Sequence, residues 1–217
     1  MLTAIVFQSG CNSLGIIAVL GTSGSHEKKV TAECGLADRK NQKILVLVNQ
    51  GVWLNADVNL RYYLTEVVNE NLTEKIKIRP DHLISYSELA EFRSKQPDLA
   101  QLSPLELAAA LDADMVLLVE VESYGLSELP EGGYYKGYLN ICAVLLETAT
   151  TMKLWPKSEK AKFVKVGFDV ETGGREAAVV RLANASAYGI VRYFYNCPMN
   201  KFKFADDRSG TQWQEWE

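Results

Sequence analysis

Histidine and cysteine are scarce in this chain of 217 residues, which contains two histidines and four cysteines. The cysteines form no C-x-x-C pair and stand at Cys11, Cys34, Cys142 and Cys197. A zinc site needs three or four thiolate or imidazole ligands that converge on the ion. We therefore expect no metal and no other cofactor, and at most one disulfide if Cys11 carries a lipid.

Runs of basic residues are also missing, since no Lys/Arg cluster is longer than a pair and the formal net charge is −4. A nucleic-acid-binding protein usually presents a basic face, so we expect no nucleic-acid partner. The stretches GTSGS and EGG lack the Lys-Ser/Thr of a phosphate-binding loop, which leaves nucleotide binding without support. Hydrophobic residues make up 47% of the chain and charged residues 23%. This composition is typical of a folded domain, and the length fits one domain with appendages.

Charge is absent from the first 25 residues, which contain no Lys, Arg, Asp or Glu. One interpretation is a lipoprotein signal over residues 1–10 that is cut before Cys11. Such a signal places small residues before its cysteine, as Ser9 and Gly10 stand here, and the thiol then accepts the lipid. Gln8 departs from this pattern because an aliphatic residue is usual at that position.

Two alternatives compete for the same segment. Leu2–Leu20 is close to the length of an uncleaved membrane anchor, although Gln8 and Asn12 would be costly in lipid. The segment could instead be a buried part of the domain. We favour lipid attachment at Cys11, followed by a tether over residues 11–39 whose stretch GTSGSHEKK is small and polar.

Apolar periodicity predicts an α/β domain over residues 40–197. A continuous apolar run predicts a buried strand at 43–50, and helical spacing predicts a helix over 56–73 with Asn55 or Asp57 as its N-cap. Residues 75–86 predict an edge strand that Pro80 interrupts.

Two capping boxes follow in the sequence. Ser85 with Glu88 predicts a helix to about residue 94, and Ser103 with Glu106 predicts a helix that ends near Asp112.

The second half of this domain predicts three extended segments and a long helix. The extended segments span 114–126, 133–156 and 161–171, and the helix spans 173–197. Short turns between the three segments favour an antiparallel meander. The fold class is therefore α/β, a single domain whose mixed, largely antiparallel sheet carries packed helices. We expect the tail over 198–217 to be loosely held.

No catalytic group emerges from these patterns. Asp81 and His82 are neighbours in a predicted strand and point to opposite faces, so a surface histidine is the favoured interpretation. Glu120 and Glu122 share one strand face and could pair for acid–base chemistry, but a solvated sheet face is favoured. Cys142 is interpreted as an inert thiol because it lies among apolar residues with no basic neighbour.

Two tryptophans near the polar C-terminus are the candidate contacts for a partner. Trp213 and Trp216 are hard to bury in so polar a segment, and exposed aromatic residues often mark interfaces.

Several of these segments together resemble a group of bacterial envelope lipoproteins: the activators of penicillin-binding proteins, the curli secretion lipoprotein and the amino-terminal domain of the Tol-associated propeller protein. The resemblance covers about residues 40–197. It rests on KILVLVNQ followed by a helix, on LELAAALDADMVLLVEV, and on YYKGYLNICAVLLETATTMKLW followed by the last helix. The turn residues that carry it are Glu147, Thr148, Thr150 and Trp155. Within the group the sequence looks most like lipoproteins of planctomycete type, and it has Asp112 where such proteins often have glycine.

The resemblance implies a role class and no catalytic site. We expect a non-enzymatic, lipid-anchored adaptor or scaffold in the cell envelope, facing the periplasm or another extracytoplasmic space. Its expected partners are the membrane, through the lipid, and a protein of the envelope. The alternatives are an oligomeric secretion or transport component and an enzyme of unrecognised type.

Overall fold

The computed structural model describes residues 29–51, 54, 58–96, 102–130, 132–171, 173–198, 202–203 and 214–215. In chain order the strands and α-helices are β1 (Lys29–Val30), β2 (Ile44–Gln50), α1 (Leu60–Asn71), β3 (Leu83–Ile84), α2 (Tyr86–Lys95), α3 (Pro104–Ala110), β4 (Met115–Glu128), β5 (Tyr135–Glu147), β6 (Lys153–Trp155), β7 (Lys162–Glu171), α4 (Gly174–Val191), β8 (Cys197–Pro198), β9 (Phe202–Lys203) and β10 (Gln214–Glu215).

A six-stranded mixed sheet forms the centre of the domain. Strand β2 runs parallel to both β3 and β4. Strand β5 runs antiparallel to β4 on one side, and to β6 and β7 on the other. The predicted single α/β domain, its mixed and largely antiparallel sheet and the meander over the middle strands are confirmed.

The burial pattern of the strands follows from what covers each face. The first five residues of β2, Ile44–Val48, are all buried because helices lie on both faces of the sheet there. Strand β5 alternates instead, with Leu139 and Ile141 buried and Tyr138 exposed. Alternation is expected where one face meets a core and the other meets water.

Two helix pairs cover the sheet unequally. Helices α1 and α4 pack against each other and against β2, β5 and β7, and enclose the larger apolar cluster. Helices α2 and α3 enclose a smaller cluster on the opposite face, around Leu45, Leu89 and Leu107. Further along that second face the sheet is exposed at Glu120 and Tyr138.

Helix α1 starts later than the sequence predicted. Its N-cap is Asn59, whose side-chain oxygen accepts a hydrogen bond from the Tyr62 backbone N–H, so the predicted start at residue 56 is wrong. The predicted caps Asn55 and Asp57 lie outside the described residues.

The predicted edge strand over 75–86 is mostly wrong. After α1 the chain widens into a π-helical turn over Leu72–Ile76, in which the side chains of Leu72 and Ile76 are both buried in the core. Lys77 then adopts a left-handed conformation with φ 67°, which ends the helix. Only β3 is a strand, and it does lie at the sheet edge, parallel to β2.

Both predicted capping boxes are confirmed. The side chains of Ser85 and Ser103 each accept a hydrogen bond from the backbone N–H three residues on. In return, the glutamate carboxylates at those positions accept hydrogen bonds from the backbone N–H groups of the two serines. Two backbone hydrogen bonds close the end of helix α3, from Asp112 N to Ala109 O and from Ala113 N to Ala108 O, as in a Schellman motif.

Helix α4 is shorter than the predicted 173–197. It ends at Val191, where bonds from Tyr193 N to Ile190 O and from Phe194 N to Val191 O tighten the last turn. The carbonyls of Tyr193 and Phe194 are then occupied by the backbone N–H groups of residues 33, 34 and 36. The N-terminal segment thus competes with continuation of the helix. The chain leaves through β8, which pairs with β1.

Candidate functional site

The beginning of the described chain is fastened to the body by four side chains, Glu33, Trp155, Lys162 and Tyr193, which we call the entry clasp. Trp155 Nε1 donates to Glu33 Oε2 at 2.9 Å, and Lys162 Nζ donates to Glu33 Oε1 at 3.2 Å. The Lys162 ammonium also lies 4.1 Å from the centroid of the Tyr193 ring. The clasp joins β6, β7 and the end of α4 to the incoming segment.

Burial makes this clasp strong. Trp155 is fully buried, and its ring packs 5.4 Å from Tyr193 and 5.0 Å from Phe194 between centroids. A buried indole N–H needs a hydrogen-bond acceptor, and the Glu33 carboxylate supplies it. A hydrogen bond to a charged partner contributes about 1.5–3 kcal/mol to stability.

A second cross-link lies at the same end of the sheet. Arg39 Nη1 donates to Glu147 Oε1 at 3.0 Å, and Thr150 Oγ1 donates to Glu147 Oε2 at 2.6 Å. The Thr150 hydroxyl and the Arg39 guanidinium hold the pKa of Glu147 below its ordinary value. The acidic-threonine turn on which the lipoprotein resemblance rests therefore has a structural role in this chain.

The opposite end of the domain carries a surface of three tyrosines and two arginines. Arg61, Tyr62 and Tyr63 come from the first turn of α1, and Tyr86 and Arg93 come from α2; we call this surface the tyrosine–arginine face. The ring of Tyr62 meets those of Tyr63 and Tyr86 edge-on, with centroids 5.4 Å and 5.6 Å apart. Such edge-to-face pairs contribute roughly 0.5–1.5 kcal/mol each beyond area burial.

Hydrogen bonds hold the outer rings of this face in place. Asn59 Nδ2 donates to the Tyr86 hydroxyl at 2.9 Å, and the Tyr63 hydroxyl donates to Glu176 Oε1 at 3.4 Å. Desolvation and the Glu176 carboxylate raise the pKa of Tyr63, so this hydroxyl stays protonated at neutral pH. Tyr62, at the centre, is 45% exposed.

The two arginines of the face come from helices that pack against each other. Desolvation, followed by the positive charge of Arg61, lowers the pKa of Arg93. Arg61 Nη2 donates to the Gln50 carbonyl at 2.9 Å. Within the described part of the chain, neither guanidinium lies within the 4.0 Å salt-bridge distance of a carboxylate. The face can therefore offer hydrogen-bond donors and positive charge beside an aromatic surface.

The three site residues predicted from the sequence, Cys11, Trp213 and Trp216, lie outside the described residues. Lipid attachment and partner contact at these positions stay predictions.

The candidate catalytic groups of the sequence are not brought together. His82 Nδ1 lies 3.2 Å from the Lys40 carbonyl, while the Asp81 carboxylate pairs with Arg79. Glu120 and Glu122 are both exposed on β4. The exposure of Glu120 and Glu122 agrees with a solvated sheet face. Asp81 and His82 lie in a short 3₁₀ helix over Pro80–His82 and not on a strand, and His82 is half-buried, so the strand argument for this pair is wrong.

The cysteines that the structure describes are half-buried or buried. Cys142 is half-buried on β5 and Cys197 is buried beside the Tyr188 hydroxyl, at 3.8 Å. No disulfide joins Cys34, Cys142 and Cys197. Burial raises the pKa of the Cys34 thiol, which makes it less nucleophilic.

The described residues contain neither a candidate metal site nor a helix that could span a membrane. They contain no group of three or more His, Cys, Asp or Glu side chains that could hold a metal ion. No helix among them has both the length and the apolar character needed to cross a bilayer.

Sequence reasoning missed the tyrosine–arginine face. It predicted a helix over 56–73 and gave Arg61, Tyr62 and Tyr63 no functional role. The available signal was the run RYYL, which places two adjacent tyrosines beside the apolar stripe of Leu60 and Leu64. Tyr86 and Arg93 are distant in sequence, so only the packing of α2 on α1 shows that they join the same surface.

The fold defines the class of this chain as an α/β domain with an open mixed sheet. No family model matches the sequence. No curated protein matches it either.

Solved structures similar to the chain include bacterial lipoproteins. Lipoprotein GNA1162 from Neisseria meningitidis is 17% identical, with a TM-score of 0.45 over 69% of this chain and 98% of that one. The PelC dodecamer from Paraburkholderia phytofirmans is 12% identical, with a TM-score of 0.46 over 78% of this chain and 96% of that one. The LpoB C-terminal domain from Salmonella enterica is 16% identical, with a TM-score of 0.33 over 71% of this chain and 92% of that one. At these identities the likeness concerns the fold and not the function; similarity to planctomycete lipoproteins stays a prediction.

Proposed function

We propose that the chain is a lipid-anchored accessory protein of the cell envelope, attached through Cys11, which works as an adaptor or scaffold and not as an enzyme. The observation that supports an interaction role is the tyrosine–arginine face. Its residue types are those enriched at the energetic centres of protein interfaces. The face is held by hydrogen bonds and centred on an exposed Tyr62.

The sequence before the domain supports the anchor. Ser9 and Gly10 precede Cys11 as in a lipoprotein signal, and the following stretch is small and polar like a tether. The entry clasp supports the same arrangement, because Glu33 fixes the segment that would connect the lipid to the domain. In this proposal residues 1–10 are the signal, 11–39 the lipid attachment and tether, 40–197 the domain and 198–217 the tail. The described part of the tether, from Lys29 onwards, is already fastened to the domain. The protein faces the periplasm or another extracytoplasmic space.

The anchor is tested by producing the full chain in its native host and measuring its intact mass after detergent extraction. We expect a chain that begins at Cys11 and carries acyl groups, recovered with membranes. Cys11→Ser should leave the protein without an acyl adduct and move it out of the membrane fraction. Cys34→Ser is the matched control and should change neither property. A chain that begins at Met1 without an acyl group, in the soluble extract, would overturn the anchor.

The second candidate is an oligomeric secretion or transport component. Its support is the open side of β7, which pairs only with β5 among the described strands. An unpaired strand edge can template self-association. Light scattering on the detergent-solubilised protein separates the two candidates, since many copies per particle favour the oligomer and a single copy favours the adaptor.

A further inference from the structure

We infer that the tyrosine–arginine face is the docking surface for an acidic, aromatic-bearing, extended segment of a protein partner. This inference rests on the proposed adaptor role but does not depend on the lipid anchor. It names the chemistry of the partner at a surface made by Arg61, Tyr62, Tyr63, Tyr86 and Arg93.

Charge complementarity is the first argument. Arg61 is next to Tyr62 on α1, and Arg93 follows Tyr86 by about two turns on the same side of α2. Within the described part of the chain, neither guanidinium has a carboxylate within salt-bridge distance, so both positive charges can attract an incoming carboxylate. Guanidinium groups bind carboxylates through parallel, bidentate hydrogen bonds, which makes the pair specific in geometry as well as charge.

The order of the aromatic surface is the second argument. Tyr62 is held between Tyr63 and Tyr86, and those two rings are fixed by Glu176 and Asn59. Binding therefore costs little side-chain entropy, since the rings are already in place. The exposed part of Tyr62 can pack against an aromatic or aliphatic side chain of the incoming segment.

The acidic rim favours a peptide segment over an anionic membrane. Glu66 Oε1 accepts a hydrogen bond from the Tyr86 backbone N–H at 3.1 Å, and Glu176 accepts one from Tyr63. Carboxylates that contact the tyrosines of the face would repel a continuous layer of anionic headgroups. A short segment can instead direct its own carboxylates to the two guanidinium groups and keep clear of the rim.

The test uses the full chain and a fluorescein-labelled synthetic peptide that alternates glutamate with tryptophan, followed by fluorescence anisotropy. We expect saturable binding that weakens as salt rises, because part of it is between partly exposed charges. A counterpart peptide with glutamine in place of glutamate should bind at least about tenfold more weakly.

Two variants and two matched controls locate the binding. Arg93→Ala and Tyr62→Ser should each weaken binding of the glutamate peptide about tenfold or more, as expected for residues at the centre of an interface. The controls are Lys95→Ala and Tyr134→Ser. Lys95 is on the same helix but pairs with Glu91, and Tyr134 is an exposed tyrosine elsewhere. Each control should change binding of the glutamate peptide by less than about twofold. Arg93 and Tyr62 are exposed, so thermal unfolding should show that both variants fold.

Other outcomes overturn the inference. They are no binding of the glutamate peptide, equal binding of the glutamine peptide, or equal weakening by the control substitutions. Binding of the full chain to phosphatidylglycerol vesicles that Arg93→Ala abolishes, without peptide binding, would assign the face to a membrane. Failure of peptide binding would leave the mass measurement on Cys11 unaffected, so the two proposals fail separately.

Discussion

At the scale of single residues, Asp112 occupies a position that suits glycine better. It follows helix α3 with φ 55°, in the left-handed region, and it places a negative charge at the negative end of the helix dipole. Asp112→Gly should therefore raise the free energy of unfolding by about 0.5–1 kcal/mol in urea denaturation. Ala109→Gly, at an exposed position inside the same helix, should lower it by about 1 kcal/mol. A loss of stability in Asp112→Gly would show that the carboxylate has a favourable partner.

Glu147 predicts a pH dependence at the same scale. Its pKa in the folded protein is lowered by the Thr150 hydroxyl and then by Arg39, so its ionised form favours folding. The contribution is complete above the ordinary glutamate pKa and is lost as the pH falls through the lowered folded-state value. Glu147→Gln should thus reduce stability at neutral pH, and its difference from the original protein should shrink to nothing in acid. Urea midpoints measured from neutral pH downwards check this, and a difference that stays constant with pH would contradict it.

At the scale of elements, the start of α3 depends on one serine. Ser103 Oγ accepts a hydrogen bond from the Glu106 backbone N–H at 3.3 Å, and the Ser103 backbone N–H donates one to Glu106 Oε2 at 2.8 Å. Ser103→Ala removes the cap and should cost about 1 kcal/mol of stability. Ser87→Ala, at an exposed position within α2, should stay within about 0.5 kcal/mol of the original protein. Circular dichroism during urea unfolding measures both, and equal effects would argue against the capping role.

The elements that the sequence predicted correctly are those with strong local signals. The apolar run of β2, the alternation of β5 and the capping boxes at Ser85 and Ser103 depend on near neighbours in the chain. The errors occur where tertiary contacts decide. Ile76 is buried at the end of a π-turn that continues α1, and beyond α4 the carbonyls of Tyr193 and Phe194 are bonded by backbone N–H groups of residues 33, 34 and 36.

At the scale of the whole molecule, β7 is an edge of the sheet among the described strands, and Lys165 protects it. Lys165 is exposed on this strand between the buried residues Val164 and Val166. A lysine on an edge strand opposes pairing with another copy, because its charge would have to be buried. Lys165→Val should therefore increase association with concentration in light scattering. Lys157→Val, in the exposed turn before β7, is the control; equal association of both variants would argue against edge pairing.

The fold of the whole molecule was predictable in outline, and its interaction surface was not. Sheet class and meander follow from the order and spacing of apolar segments. The tyrosine–arginine face combines residues from two helices that are separated by a π-turn and an edge strand, so no local pattern contains it. Arg61 and Arg93 contribute to one surface only because α2 packs beside α1.

The long helix α4 separates the tyrosine–arginine face from the entry clasp. Its first turn contacts the tyrosine–arginine face through Glu176, and the entry clasp begins just beyond its last residue. With 18 residues the helix is about 27 Å long. An attachment that joins the body at the entry clasp is therefore about one length of α4 away from the tyrosine–arginine face. This separation is roughly three Debye lengths at physiological ionic strength, so charge beside the clasp is largely screened at the face.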